Sequence, residues 1–136
     1  TRYAEKVRKE AETLGVSHRL HLLSGGSDNE LNVIYKNAEL FVYPSRYEGF
    51  GIPIIEAIFS GLAVVASTGS CLEEAGGPHC LYVNPDDYEE MAKAVAQLIC
   101  DKEDRRRRIE LSMEYVHKFK GSNLAAQVFD IYKELL

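Results

Sequence analysis

Two stretches of the chain, "ELFVYPS" (39–45) and "LAVVAS" (62–67), are apolar at consecutive positions and are separated by one helix-length segment that Gly61 ends. A strand exposed on one face alternates apolar and polar residues, whereas one covered on both faces does not. Continuous apolar runs therefore point to a parallel sheet with helices on both sides. Two such runs joined through a single helix form a βαβ unit.

The rest of the chain extends the alternation. Tyr3, Val7, Ala11 and Leu14 recur at helical spacing before Gly15, and "RLHLLS" (19–24) reads as a short strand. Ser27 and Glu30 have capping-box spacing ahead of a helix carrying Leu31, Ile34 and Tyr35. A short capped helix is expected from Ser70 and a strand over "CLYVN" (80–84). A helix is expected from Asp86, with Glu89 three residues on and Tyr88, Met91, Ala92, Val95 and Ile99 inward. Two more helices, over about 102–119 and 122–136, complete the chain. The class is α/β, a doubly wound, Rossmann-like parallel sheet.

Composition narrows the functions open to such a fold. A chain of 136 residues, 46% hydrophobic and 27% charged, has the core of one domain. A net charge of −5 and a pI near 5.4 argue against a nucleic-acid-binding surface. Cys71, Cys80 and Cys100 show no CxxC spacing and His18, His21, His79 and His117 no ligand spacing, so neither a disulfide framework nor a metal site is expected. A reducing, cytoplasmic setting is the default. Without a membrane span or signal peptide in the sequence, membrane contact would be peripheral.

The stretch that carries chemistry is "SRYEGFGIPIIEA" (45–57), at the carboxyl end of the strand over 39–45, where open α/β sheets bind ligands. Gly49 and Gly51 allow a sharp turn, and Pro53 fits a first helical turn. The helix "IPIIEAIF" is apolar on nearly every side, so Glu56 is expected buried and in need of a hydrogen-bonding partner, for which sugar or ribose hydroxyls would serve. Ser45 and Arg46 read either as strand-end and surface residues or as ligand contacts; Glu74 reads as a brace or a helix-surface carboxylate. "GGSD" (25–28) is a turn and cap before it is a phosphate cradle, and "RRRR" (105–108) the wet face of a helix.

"PSRYEGFGIPIIEA", followed by a glycine and an apolar strand, resembles the signature of the large retaining glycosyltransferase family built on the two-domain B-type fold (family 4-like, group 1). The resemblance runs from "LGVSHRL" through "SDNELNVIYKNAELFVYPS" and "CLEEAGG" to "VFDIYKELL", and its most specific element is the pair of glutamates with seven residues between them. It implies that residues 1–136 are the latter part of a carboxyl-terminal nucleotide-sugar-binding domain. Glu48 would sit by the donor sugar as the catalytic residue, and Glu56 would hold the ribose hydroxyls. Gly49, the amides of Phe50, Gly51 and Ile52, and Ser45 would contact the donor.

The implied reaction moves a sugar from a nucleoside-diphosphate sugar, with no cofactor or metal, to an acceptor hydroxyl that the sequence does not specify. The resemblance also implies that an amino-terminal domain, the first strands of the sheet and a basic pair that grips the pyrophosphate lie before Thr1. The sheet is then incomplete, with a gap between residues 19–24 and 39–45, and residues 1–136 alone would not catalyse transfer. Two other readings share parts of the pattern: a non-catalytic nucleotide-sugar-binding module and a flavodoxin-like interaction module. The second would need an acidic residue at the central strand end, where "LFVYPS" has Pro44 and Ser45.

Overall fold

Five consecutive residues, Ala63–Ser67, are all buried and form the middle strand of a parallel three-stranded sheet. The computed structural model describes residues 1–121, so the helix expected over 122–136 lies outside the described residues. The strands are β1 (Leu40–Tyr43), β2 (Ala63–Ser67) and β3 (Leu81–Val83), in the order β1-β2-β3. Leu40 pairs with Ala63 and Tyr43 with Ala66, while Val65 pairs with Leu81 and Ser67 with Val83.

The helices are α1 (Arg2–Thr13), α2 (Asp28–Asn37), α3 (Ile52–Phe59), α4 (Leu72–Gly76), α5 (Tyr88–Cys100) and α6 (Lys102–Val116), with 3₁₀ turns at Ser17–Arg19 and His117–Phe119. Because side chains alternate along β2, it feeds two cores. Val64 and Ala66 pack with Ile54, Ala57 and Ile58 of α3, Leu72 of α4 and Val116 of α6. Ala63 and Val65 pack with Val83 and with Ala94 and Leu98 of α5. Helices thus cover both faces of an open sheet, the arrangement expected of an incomplete doubly wound domain.

By contacts the chain forms two units, Thr1–Leu31 and Asn32 onward. In the first, Thr1 caps α1, and the Ser27–Glu30 capping box closes in both directions: the Ser27 amide donates to Glu30 Oε2 at 2.7 Å and the Glu30 amide to Ser27 Oγ at 3.3 Å. The Ser27 amide and hydroxyl hold the Glu30 carboxyl below its ordinary range. This spends "GGSD" on a cap. The strand expected over 19–24 is not formed: Ser17–Arg19 is a 3₁₀ turn and the next residues carry no regular structure. A strand requires a neighbour for its N–H and C=O groups, and no ladder among the described residues supplies one.

Three local expectations shift. The cap of α5 is Asp87, whose carboxylate accepts from the Glu90 amide, because Asp86 pairs with Arg46 at 2.5 Å. Its buried stripe is Ala94 and Leu98, flanked by Met91 and Val95, whereas Tyr88, Ala92 and Ile99 are exposed. Cys71, not Ser70, is the N-cap of α4, although the Ser70 hydroxyl still accepts from the Leu72 amide.

The four arginines of α6 are not one wet face. Arg105 pairs with Glu39 at 2.7 Å; Arg108 pairs with Asp104 at 2.7 Å and donates to the His79 carbonyl at 3.0 Å. The helix turns two of its four arginines inward, where they tie it to the segments entering β1 and β3. Hydrogen bonds from Arg108 and then Arg107 hold the Asp104 carboxyl down at about 2. A carboxyl lowered in the folded state stabilises the fold above its unfolded value and loses that contribution as pH falls through the folded value. Stability is therefore expected to drop between about pH 4 and about pH 2, and Asp104→Asn to flatten that part of the profile. Chemical denaturation across this range checks it; an unchanged acid slope in the variant would refute the assignment.

Candidate active site

The three loops that leave the carboxyl ends of β1, β2 and β3 each carry part of a polar cluster. Its centre is Glu48, in the loop from β1 to α3. The Tyr43 hydroxyl, at the last residue of β1, donates to Glu48 Oε1 at 2.5 Å, and the Ser45 hydroxyl donates to the same oxygen at 2.9 Å. Cys71, at the start of α4, donates through Sγ to the Glu48 carbonyl at 3.2 Å, so both the backbone and the side chain of this glutamate are held. The hydrogen bond from Tyr43, then that from Ser45, keep the Glu48 carboxyl below the ordinary carboxylate range. The same bond, followed by burial, pushes the Tyr43 phenol up to about 12. Glu48 is therefore an anion with a fixed orientation.

The turn that follows ends at Gly51, the N-cap of α3, with φ 92° and no side-chain cap. Among the described residues the amides of Phe50, Gly51 and Ile52 donate to no acceptor, so the positive end of α3 is open. Pro53 lies in the first helical turn, where its missing N–H removes no bond. The Phe50 ring packs edge-on against Phe119, with centroids 5.4 Å apart, which anchors the turn through its side chain and leaves its amide unbonded.

Glu56 departs from expectation. It is exposed, not buried, and its carboxylate makes no hydrogen bond or ion pair among the described residues. The reason is angular: Ile54, Ala57 and Ile58 form the buried stripe of α3, and at 3.6 residues per turn Glu56 lies about 150° round the helix from the centre of that stripe. Ile52 and Phe59 are exposed with it, so the apolar character of "IPIIEAIF" reflects an outer face as well as a core face. After burial, the Glu56 charge is the second cause raising the phenol of Tyr35, which places the carboxylate near α2.

Of the expected site residues, Ser45, Glu48, Gly49, Phe50, Gly51 and Ile52 form one continuous turn, with Glu56 on the helix it opens. The Ser45 hydroxyl is engaged with Glu48, and Arg46 reaches across to Asp86. Gly49 meets nothing within 4 Å of the position a Cβ would occupy and has an ordinary φ, so the sharp turn rests on Gly51 alone. Two residues escaped the sequence reading. Glu73, not Glu74, braces a loop, accepting from the Thr68 hydroxyl and from the Gly69 amide at 3.3 Å. Tyr43 is the second; its signal is parity, since Phe41 and Tyr43 are two apart on one strand and so share a face.

Gly51 gives a direct test of the turn. A Cβ there would lie 2.8 Å from Leu72 Cδ2 and 3.3 Å from Ala75 Cβ, at a positive φ. Gly51→Ala is expected to destabilise the fold by about 1–3 kcal/mol. Gly49→Ala should leave the denaturation midpoint in place. Equal midpoints for the two variants would show that the turn does not depend on Gly51.

Among the described residues no three His, Cys, Asp or Glu side chains gather into a group able to hold a metal ion, and no helix is long and apolar enough to cross a membrane. Comparison with known proteins gives a consistent picture. The chain is 35% identical over 127 residues, 90% of its length, to the MMP alpha-(1->4)-mannosyltransferase of Mycolicibacterium hassiacum, and covers 31% of that protein. It is 34% identical over 108 residues, 79% of its length, to the O-antigen chain mannosyltransferase B of Escherichia coli, covering 28% of it. Among solved structures, the sucrose-phosphate synthase of Thermosynechococcus elongatus superposes with a TM-score of 0.81 at 29% identity, over 97% of this chain and 34% of that one. The chain spans about a third of the length of these relatives. Residues 2–114 match the family model of glycosyl transferases group 1, with the glutamate cluster inside the matched region, and the chain belongs to that family.

Proposed function

We propose that this chain is the donor-binding part of a retaining glycosyltransferase that moves a sugar from a nucleoside diphosphate to an acceptor hydroxyl. One observation carries the reading: two unlike carboxylates bracket the open start of α3. Glu48 is fixed by Tyr43 and Ser45, Glu56 stands exposed on the outer face with no partner among the described residues, and the amides of Phe50, Gly51 and Ile52, which donate to none of the described residues, lie between them in sequence. An anionic phosphate suits the amides, since a helix start offers both N–H donors and a favourable dipole. A carboxylate with all its acceptor positions free suits a pair of ribose hydroxyls, which assigns Glu56 to the nucleoside.

Glu48 is left for the sugar. As the bond from the anomeric carbon to the leaving diphosphate lengthens, its electrons pass to the phosphate oxygen and positive charge develops on the sugar ring. Amides at the start of α3 stabilise the first charge and the Glu48 carboxylate the second. The acceptor oxygen bonds to the anomeric carbon from the face the phosphate leaves, and its proton passes to the departing phosphate oxygen. Charge placement does the work in this reading, and the step calls on no enzyme nucleophile. None of the described site residues is assigned to the acceptor, and transfer is not expected of residues 1–136 taken alone.

In the full-length protein, Glu56→Gln should weaken nucleotide-sugar binding while leaving the fold intact, because Glu56 is exposed and its carboxylate bonds to no side chain among the described residues. A lost hydrogen bond to a charged group is worth about 1.5–3 kcal/mol, or roughly tenfold to a hundredfold in affinity. A calorimetric titration unchanged by the substitution would remove Glu56 from the site. Glu48→Gln should instead lower kcat with little change in KM, the signature of an interaction gained in the transition state. Saturable donor binding with neither transfer nor donor hydrolysis in the unsubstituted protein would favour a non-catalytic binding module.

A further inference from the structure

We propose that Tyr43 is the positioning residue of this site: it fixes Glu48 through one carboxylate oxygen, Oε1, so that Oε2 is the oxygen left to accept from the donor sugar. The inference rests on the reading of Glu48 as the sugar-side carboxylate and adds how that carboxylate is aimed.

Both side-chain hydrogen bonds to Glu48 fall on Oε1, 2.5 Å from the Tyr43 hydroxyl and 2.9 Å from the Ser45 hydroxyl. An anionic carboxylate has about four acceptor positions on two oxygens, and two donors on one oxygen fill that oxygen. The Tyr43 proton is committed to Glu48, so the phenol acts on the ligand through Glu48.

Of the two donors, Tyr43 is the one that sets the position. Ser45 belongs to the loop itself, and its hydroxyl also lies 3.4 Å from the Tyr47 carbonyl, a competing acceptor. The Tyr43 ring is fixed from the core: it stacks on Phe41 with centroids 5.6 Å apart and planes 18° apart, and Phe41 packs edge-on against buried Tyr35, also at 5.6 Å. An aromatic column anchored in the sheet thus ends in a hydroxyl aimed at the loop carboxylate. Holding that carboxylate in one rotamer before the ligand arrives removes an ordering cost from the reacting complex. The other groups around Glu48 do not substitute for it. Cys71, at the N-cap of α4, donates to the backbone carbonyl of Glu48 and not to its carboxylate.

The test is a double-substitution cycle in the full-length protein, with Tyr43→Phe, Glu48→Gln and the pair, using a nucleotide sugar that the unsubstituted protein turns over. Tyr43→Phe keeps the ring and its stacking while removing the donor. It should lower kcat about tenfold with little change in KM. In the Glu48→Gln background the same change should cost less than about twofold, because its effect passes through Glu48. A merely structural tyrosine would cost the same factor in both backgrounds, and that result overturns the proposal. The second readout is the Glu48 carboxyl itself, followed by NMR in protein with carbon-13-labelled glutamate: it should titrate at a higher pH in Tyr43→Phe than in the unsubstituted protein. Identical titrations show that the pin is absent and sink the inference while leaving the sugar-side reading of Glu48 intact. A clear upward shift, combined with normal turnover by Glu48→Gln, shows that the pin exists and that the sugar-side reading, with the positioning role that depends on it, is wrong.

Discussion

Burial of the whole of β2 is the constraint from which the rest of the architecture follows. Ala63–Ser67 turn neither face to water and carry an unbroken run of backbone polar groups, so both edges need a strand and both faces need helices. β1 and β3 take the edges; α3, α4 and the end of α6 cover one face, and α5 the other. Each valine side chain fully buried there contributes about 1.5–3 kcal/mol, the same order as the cost of ordering one or two residues of backbone. Parallel strands then send every β-to-α loop out of the same end of the sheet. The meeting of Glu48, Cys71 and the Arg46–Asp86 pair at that end is a consequence of strand direction as much as of any attraction between them.

The pattern features that govern long segments were readable before any coordinates. Continuous apolar runs fixed the three strands of the sheet, and the glycine, proline and capping signals placed α1, α2 and α3 within a residue or two. What the pattern could not supply was the angular position of single residues. Glu56 was expected inside because its neighbours are apolar, yet hydrophobicity does not say which side of a helix that is apolar all round will face the sheet. The arginines at 105–108 show the same limit from the opposite direction: a charged run looks solvated until three of its members find Glu39 and Asp104. "RLHLLS" illustrates a third kind, since a strand forms only where a second segment pairs with it and a short apolar run does not reveal its partner.

Within the site, legibility followed covalent spacing. Ser45, Glu48 and Gly51 are three residues apart in succession, and their grouping was visible as a motif; Tyr43 and Cys71 reach Glu48 only through the fold. The structure also separates the two glutamates in a way that the motif does not. One is held by two donors and kept ionised, and the other is open to solvent with no partner among the described residues. A fixed carboxylate resists following a moving ligand and so suits a reacting centre. An unpaired one has unused acceptor capacity, and in water it pays little to exchange solvent for hydroxyls.

The aromatic column from Tyr35 through Phe41 to Tyr43 explains how the rigid part of the molecule reaches the irregular part. Loops ordinarily tolerate movement because few packed side chains define them. Here the Glu48 loop is clamped at three points set by regular elements: the β1 tip through Tyr43, the start of α4 through Cys71, and the body of α4 through Gly51, whose Cα approaches Leu72 and Ala75 too closely for a larger residue. Each clamp bears on a different atom group, namely the carboxylate, the backbone carbonyl and the turn itself. The amides of Phe50, Gly51 and Ile52 are consequently held in place without a hydrogen bond to any of the described residues, and that combination is what the proposed anion site requires: donors whose orientation is settled by packing and whose protons are available.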